Sequence, residues 1–184
     1  MSIKSFFSKL FGKTEEPVIE EPLETVPQKS ESELLIESVK GNISAIDDFF
    51  ANPQKYEGTR FNARETKAMH ELYKKMIKTL KTINSYTNVG FRNIDEYYEL
   101  KRIIQDLINT RDETLRDIVP ELKVKVDEFA MDLRYTAYEL NKNYTERRKI
   151  QEILESENDK KKFFEYALKF KEATDVMRKR LLLI

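Results

Sequence analysis

Any chemistry in this chain would fall to carboxylates, lysines and one imidazole, because cysteine is absent and histidine occurs once, at His70. A lone imidazole cannot assemble a histidine-rich metal site. The residue three before it is Lys67, so the Glu-x-x-His pairs that bind di-iron centres in helical bundles are missing, as is His-Glu-x-x-His. Asp47-Asp48 and Asp127-Glu128 remain as candidate ligands for a hard cation such as calcium or magnesium. Neighbouring residues on a helix diverge, however, and a solvated surface is the expected role of both pairs. Four widely separated glycines leave no loop to cradle phosphates, and no Gly-x-Ser-x-Gly elbow accompanies His70. Acids are plentiful, but nothing selects a pair for general acid and base work. The expectation is a protein that is not an enzyme, with no metal site, no cofactor and no identifiable small-molecule substrate.

Binding chemistry is better represented. Ile3, Phe6, Phe7, Leu10 and Phe11 fall on one face of a helix, while Lys4, Lys9, Lys13 and three serines occupy the remainder. Apolar side chains at this spacing, flanked by lysines, form a short amphipathic segment suited to an anionic membrane surface. Two further basic clusters, Arg147-Arg148-Lys149 and Lys160-Lys161-Lys162, lie near Tyr144 and Phe163, the combination that a nucleic-acid or anion contact would use. Interleaved acids at Glu146, Glu152, Glu155, Glu157 and Asp159 favour the plainer reading of a solvated helix corner. Near the other end, Arg178, Lys179 and Arg180 precede Leu181, Leu182, Leu183 and Ile184. Four consecutive apolar residues cannot share one helical stripe, so this run offers a second membrane contact or burial against the chain's own helices.

The elements that must position these groups are helical. Residues 1–13 form the amphipathic segment, and residues 14–29 form an acidic linker in which Glu15-Glu16-Pro17 and Glu20-Glu21-Pro22 repeat before Pro27. Prolines and like charges favour extended geometry there, and at roughly 3.1 Å per residue the stretch reaches up to about 50 Å. Residues 30–184 read as one helical bundle domain. Ser30 with Glu33, Asn62 with Glu65 and Asn93 with Glu96 have the spacing of N-terminal capping boxes. The first helix is expected over 31–51 with Ile36, Val39, Ile43, Ile46 and Phe50 inward. The second carries Met69, Tyr73, Met76, Leu80 and Ile83, ending near Tyr86, and the third carries Leu100, Ile104, Leu107, Leu115 and Ile118. Pro120 either starts the fourth helix or kinks a longer one. That helix carries Leu122, Val126, Phe129, Leu133 and Leu140 along a seam continuing toward Leu154, roughly 50 Å at 1.5 Å per residue. A last helix, beginning near Ser156 or Asn158, carries Phe163, Tyr166, Phe170, Ala173, Met177 and Leu181. Narrow stripes on long helices predict an all-α, elongated antiparallel bundle resembling a coiled coil.

Composition bounds the function. The 184 residues are 36% charged and 40% hydrophobic, with zero formal net charge, so no whole-molecule field draws the chain to nucleic acid. No apolar run is long enough to cross a bilayer, the segment at 1–13 lacks the continuous apolar core of a secretory signal, and Ser2 excludes myristoylation. The absence of cysteine fits a reducing compartment. The expected function is that of a peripheral scaffold or adaptor at the inner, cytoplasmic face of a membrane. It would be anchored by residues 1–13 and would bind protein partners or itself through the bundle. One alternative is a helical interaction protein whose first segment docks in a protein groove. Another is a nucleic-acid-binding protein using the basic corner at 147–162.

Overall fold

The computed structural model describes residues 30–55, 62–114, 119–146 and 157–182, with the side chains at 111–114, 143 and 157–164 outside that description. Among the described residues there are five α-helices and no strand: α1 (Glu31–Ala51), α2 (Ala63–Val89), α3 (Ile94–Thr114), α4 (Pro120–Thr145) and α5 (Glu157–Leu182). A short 3₁₀ turn, Pro53–Lys55, follows α1. The amphipathic segment and the acidic linker lie outside the described residues.

Local chemistry sets the helix starts. The Glu33 amide donates to Ser30 Oγ while the Glu33 carboxylate accepts from the Ser30 amide, and Asn62 and Glu65 repeat the arrangement at 2.9 Å in both directions. Each box satisfies amides that the first helical turn leaves without a carbonyl. At α3 the Glu96 amide donates to Asn93 Oδ1, but its carboxylate accepts from the Arg92 amide at 2.7 Å and from Arg92 Nε at 2.8 Å. Helix α2 runs three residues beyond Tyr86 and stops at Gly90, whose φ of 73° is a conformation open mainly to glycine. Pro120 occupies the first turn of α4 behind a non-helical Val119, so it starts this helix and does not kink one. The described α4 ends at Thr145, and the expected continuation of its seam toward Leu154 lies outside the described residues. After Leu140 the residues to 146 with described side chains are exposed or half-buried, and the Thr145 hydroxyl turns back on the Asn141 carbonyl.

The seams meet as neighbours in an order that differs from chain order. Helix α5 packs between α4 and α1, α3 packs between α2 and α4, and α2 also touches α4 and α5. Lys125 pairs with Glu172 and Lys169 with Glu128, so α4 and α5 run antiparallel, and Phe129 meets Phe170 edge to face between them. The core holds Leu72, Met76, Leu80, Ile104, Leu107, Val126, Leu133, Tyr166, Ala173 and Met177 among its members. In α1 the inward stripe is Ile36, Val39, Asn42, Ile46 and Phe49. Ile43 and Phe50, expected inside, are half-buried at the margin of the core, because α1 turns its buried face to α5 more than to α2.

Candidate functional site

That rotation of α1 leaves a concavity between α1 and α2 among the described residues. The backbones of α1 and α2 stand apart, and a groove of about 810 Å³ runs between them, lined from α1 by Lys40, Ile43, Ser44 and Asp47. From α2 it is lined by His70, Tyr73, Lys74, Ile77, Lys78, Lys81 and Thr82. Spacings of three and four place each set on one helical face. Ile43 and Ile77 form a half-buried apolar floor continuous with the core, and four lysines form the rim with Asp47 as the one carboxylate in the lining.

Asp47 is already committed. The Tyr73 hydroxyl donates to Asp47 Oδ1 at 2.8 Å and approaches the Ile43 carbonyl at 3.3 Å, tying α2 to α1 across one end of the groove. Burial, followed by the Asp47 carboxylate, pushes the Tyr73 phenol far above its ordinary pKa, so it stays a donor. At the same end His70 stacks on Phe50 with ring centroids 4.1 Å apart and planes 14° from parallel. Burial and then Lys74 hold the imidazole below its ordinary pKa, leaving it neutral at pH 7. Lys74 also pairs with Glu71 at 3.1 Å on the exposed side. The groove therefore sets a lysine-rich rim, in which Lys74 is paired with Glu71, beside a half-buried apolar floor.

The residues expected to bind are distributed elsewhere. Ile3, Lys4, Phe6, Phe7, Lys9, Leu10, Phe11 and Lys13 lie outside the described residues, as do Arg147, Arg148, Lys149, Leu183 and Ile184. Lys160, Lys161 and Lys162 are in the first turns of α5, with side chains outside the description. Of the run after Met177, Lys179 is exposed, Arg180 approaches Glu121 at 3.7 Å, and the Arg178 guanidinium donates to Asn42 Oδ1 at 3.4 Å. Leu181 is fully buried in the core and Leu182 is half-buried against it, so these two pack on the chain's own helices. Neither carboxylate pair converges: Asp47 faces Tyr73 while Asp48 accepts from Asn52 and Lys55, and Glu128 joins Lys125 and Lys169. Among the described residues no group of three or more histidine or carboxylate side chains is placed to hold a metal ion. No helix among them is long and apolar enough to cross a membrane.

The sequence reading passed over the groove's lysines. Lys74, Lys78 and Lys81 recur at spacings of four and three on α2, and Ile77 lies between them, which is the available signal for a basic face bordering an apolar one. Nothing in the sequence says that Lys40 of α1 shares that border. No protein-family model matches the chain, and no match is found among the curated proteins or the solved structures.

Proposed function

We propose that the chain is a non-enzymatic adaptor held at the inner face of a membrane by residues 1–13, with the bundle as its binding module. The observation that carries this reading is the amphipathic pattern of Ile3, Phe6, Phe7, Leu10 and Phe11 with Lys4, Lys9 and Lys13, joined by an acidic spacer to a bundle that already closes its own core. The alternative, docking of that segment back onto the bundle, meets an electrostatic objection. The groove with an apolar floor is rimmed by four lysines, and the segment brings three more. An anionic lipid surface suits it better.

A helix of about ten residues does not hold its structure alone in water, so the segment folds on contact and the ordering entropy offsets part of its affinity. One copy is a marginal anchor. Linking copies raises the effective concentration at the surface, and Val124, Met131, Tyr135 and Tyr138 on the outer face of α4 offer an apolar stripe for self-association. Co-sedimentation with anionic and neutral liposomes, using the full chain and one lacking residues 1–13, tests the reading. Binding to anionic vesicles that is lost on truncation is expected. Equal binding by both chains, or binding by neither, overturns the anchor.

A further inference from the structure

The rim of Lys40, Lys74, Lys78 and Lys81, with Lys74 paired to Glu71 on its exposed side, is complementary in charge to an acidic segment with apolar side chains, and such a segment precedes α1 in the chain. Between residues 15 and 24 it places Glu15, Glu16, Glu20, Glu21 and Glu24 around Val18, Ile19 and Leu23. We infer that the α1–α2 groove is the docking site for this acidic segment of the same chain. The inference stands apart from lipid binding and survives its failure.

The reach agrees. Lys40 lies nine residues into α1, about 14 Å from its start at 1.5 Å per residue, and the five residues from Thr25 to Lys29 span roughly 16 Å when extended. Glu24 then comes level with the Lys40 and Lys81 end of the groove. From His70 to Thr82 the groove follows α2 for about 18 Å, a length that some five or six extended residues fill, so Ile19 to Glu24 cover it. Because Tyr73 meets Asp47 while His70 meets Phe50, α1 and α2 run antiparallel, and the docked segment lies parallel to α2. Ile19 and Leu23 supply apolar contact for Ile43 and Ile77, and three glutamates face the lysines. The basic segment at 1–13 has the wrong charge for the same place.

The absence of cysteine makes the test clean. A full-length Val18→Cys chain carrying a nitroxide is compared with its reduced, diamagnetic form by methyl NMR. At low ionic strength the Ile43 and Ile77 methyl signals are expected to broaden severalfold more than those of Leu107 and Val126. High salt should restore them as the screening length falls to a few ångströms. Replacing the five glutamates by glutamine, which leaves the bundle untouched, should abolish the broadening, and the Lys74→Glu, Lys78→Glu, Lys81→Glu chain should do the same. No selective broadening at low salt overturns the proposal. So does broadening that survives glutamate neutralisation. A mixture of spin-labelled chain with an isotope-labelled, label-free chain separates the sources: broadening there makes the occupant a second copy and also overturns it.

Discussion

At the scale of single residues, Asp132 is the least settled charge in the described bundle. It lies on α4 facing α5, with Oδ2 buried and without a hydrogen bond. Burial first, then the carboxylate of Glu165, raises its pKa, with Glu128 and Glu172 adding to the rise and Lys169 opposing it. A carboxyl whose pKa is higher folded than unfolded favours folding when protonated. Its contribution is complete below about pH 4 and is lost as pH rises through the folded value. Asp132→Asn should therefore raise stability at pH 7 by about 1 kcal/mol, with the difference from the parent chain shrinking toward zero in acid. Urea denaturation at a series of pH values reads this directly. A gain that grows as pH falls would contradict the assignment. The neighbouring Lys125 behaves oppositely: its hydrogen bonds to Glu128 and then Glu172 raise its pKa and keep the seam charged and paired.

At the scale of elements, helix starts are governed within four residues, which is why the capping boxes at Ser30 and Asn62 are legible in the sequence. Asn62→Ala removes the acceptor for the Glu65 amide and should lower stability by about 1 kcal/mol, measured as a shift in the urea midpoint at unchanged slope. The third box shows the limit of such reading. Spacing identifies Asn93 and Glu96, but Glu96 reaches past the cap to the Arg92 amide, because the turn released by Gly90 brings that amide within range. The described core positions in α2, α4 and α5 follow their periodicity closely. In α1 periodicity cannot distinguish Ile43 from Asn42 or Phe50 from Phe49, since adjacent residues differ by 100° and the partner helix decides which turns inward. The lysine groove was illegible for the same reason. Its two walls come from helices whose separation is set by where α5 packs, and no local pattern carries that information.

At the scale of the whole molecule, α1 and α5, the first and last of the five described helices, are side by side, and one buried amide helps to join them. Asn42 Nδ2 donates to Asp175 Oδ1 at 2.7 Å and Thr174 Oγ1 at 3.1 Å, while its Oδ1 accepts from Arg178. Asn42 is 2% exposed, so Asn42→Ala removes the acceptor of the Arg178 guanidinium and a donor to Asp175 and Thr174, while Thr174 keeps its bonds to the Phe170 and Lys171 carbonyls. A loss of about 2 kcal/mol is expected, with amide hydrogen exchange accelerating in α1 and α5 more than in α3. Uniform acceleration would mean that the amide serves the bundle as a whole. The placement of α1 also bears on the order in which the chain acquires its shape during synthesis. Helices α2, α3 and α4 meet successive neighbours as they leave the ribosome, yet α1, made before them, finds its main surface only when α5 emerges, more than one hundred residues later. Until then Ile36, Val39, Ile46 and Phe49 remain available to chaperones, and translation pauses before α5 would lengthen that exposure.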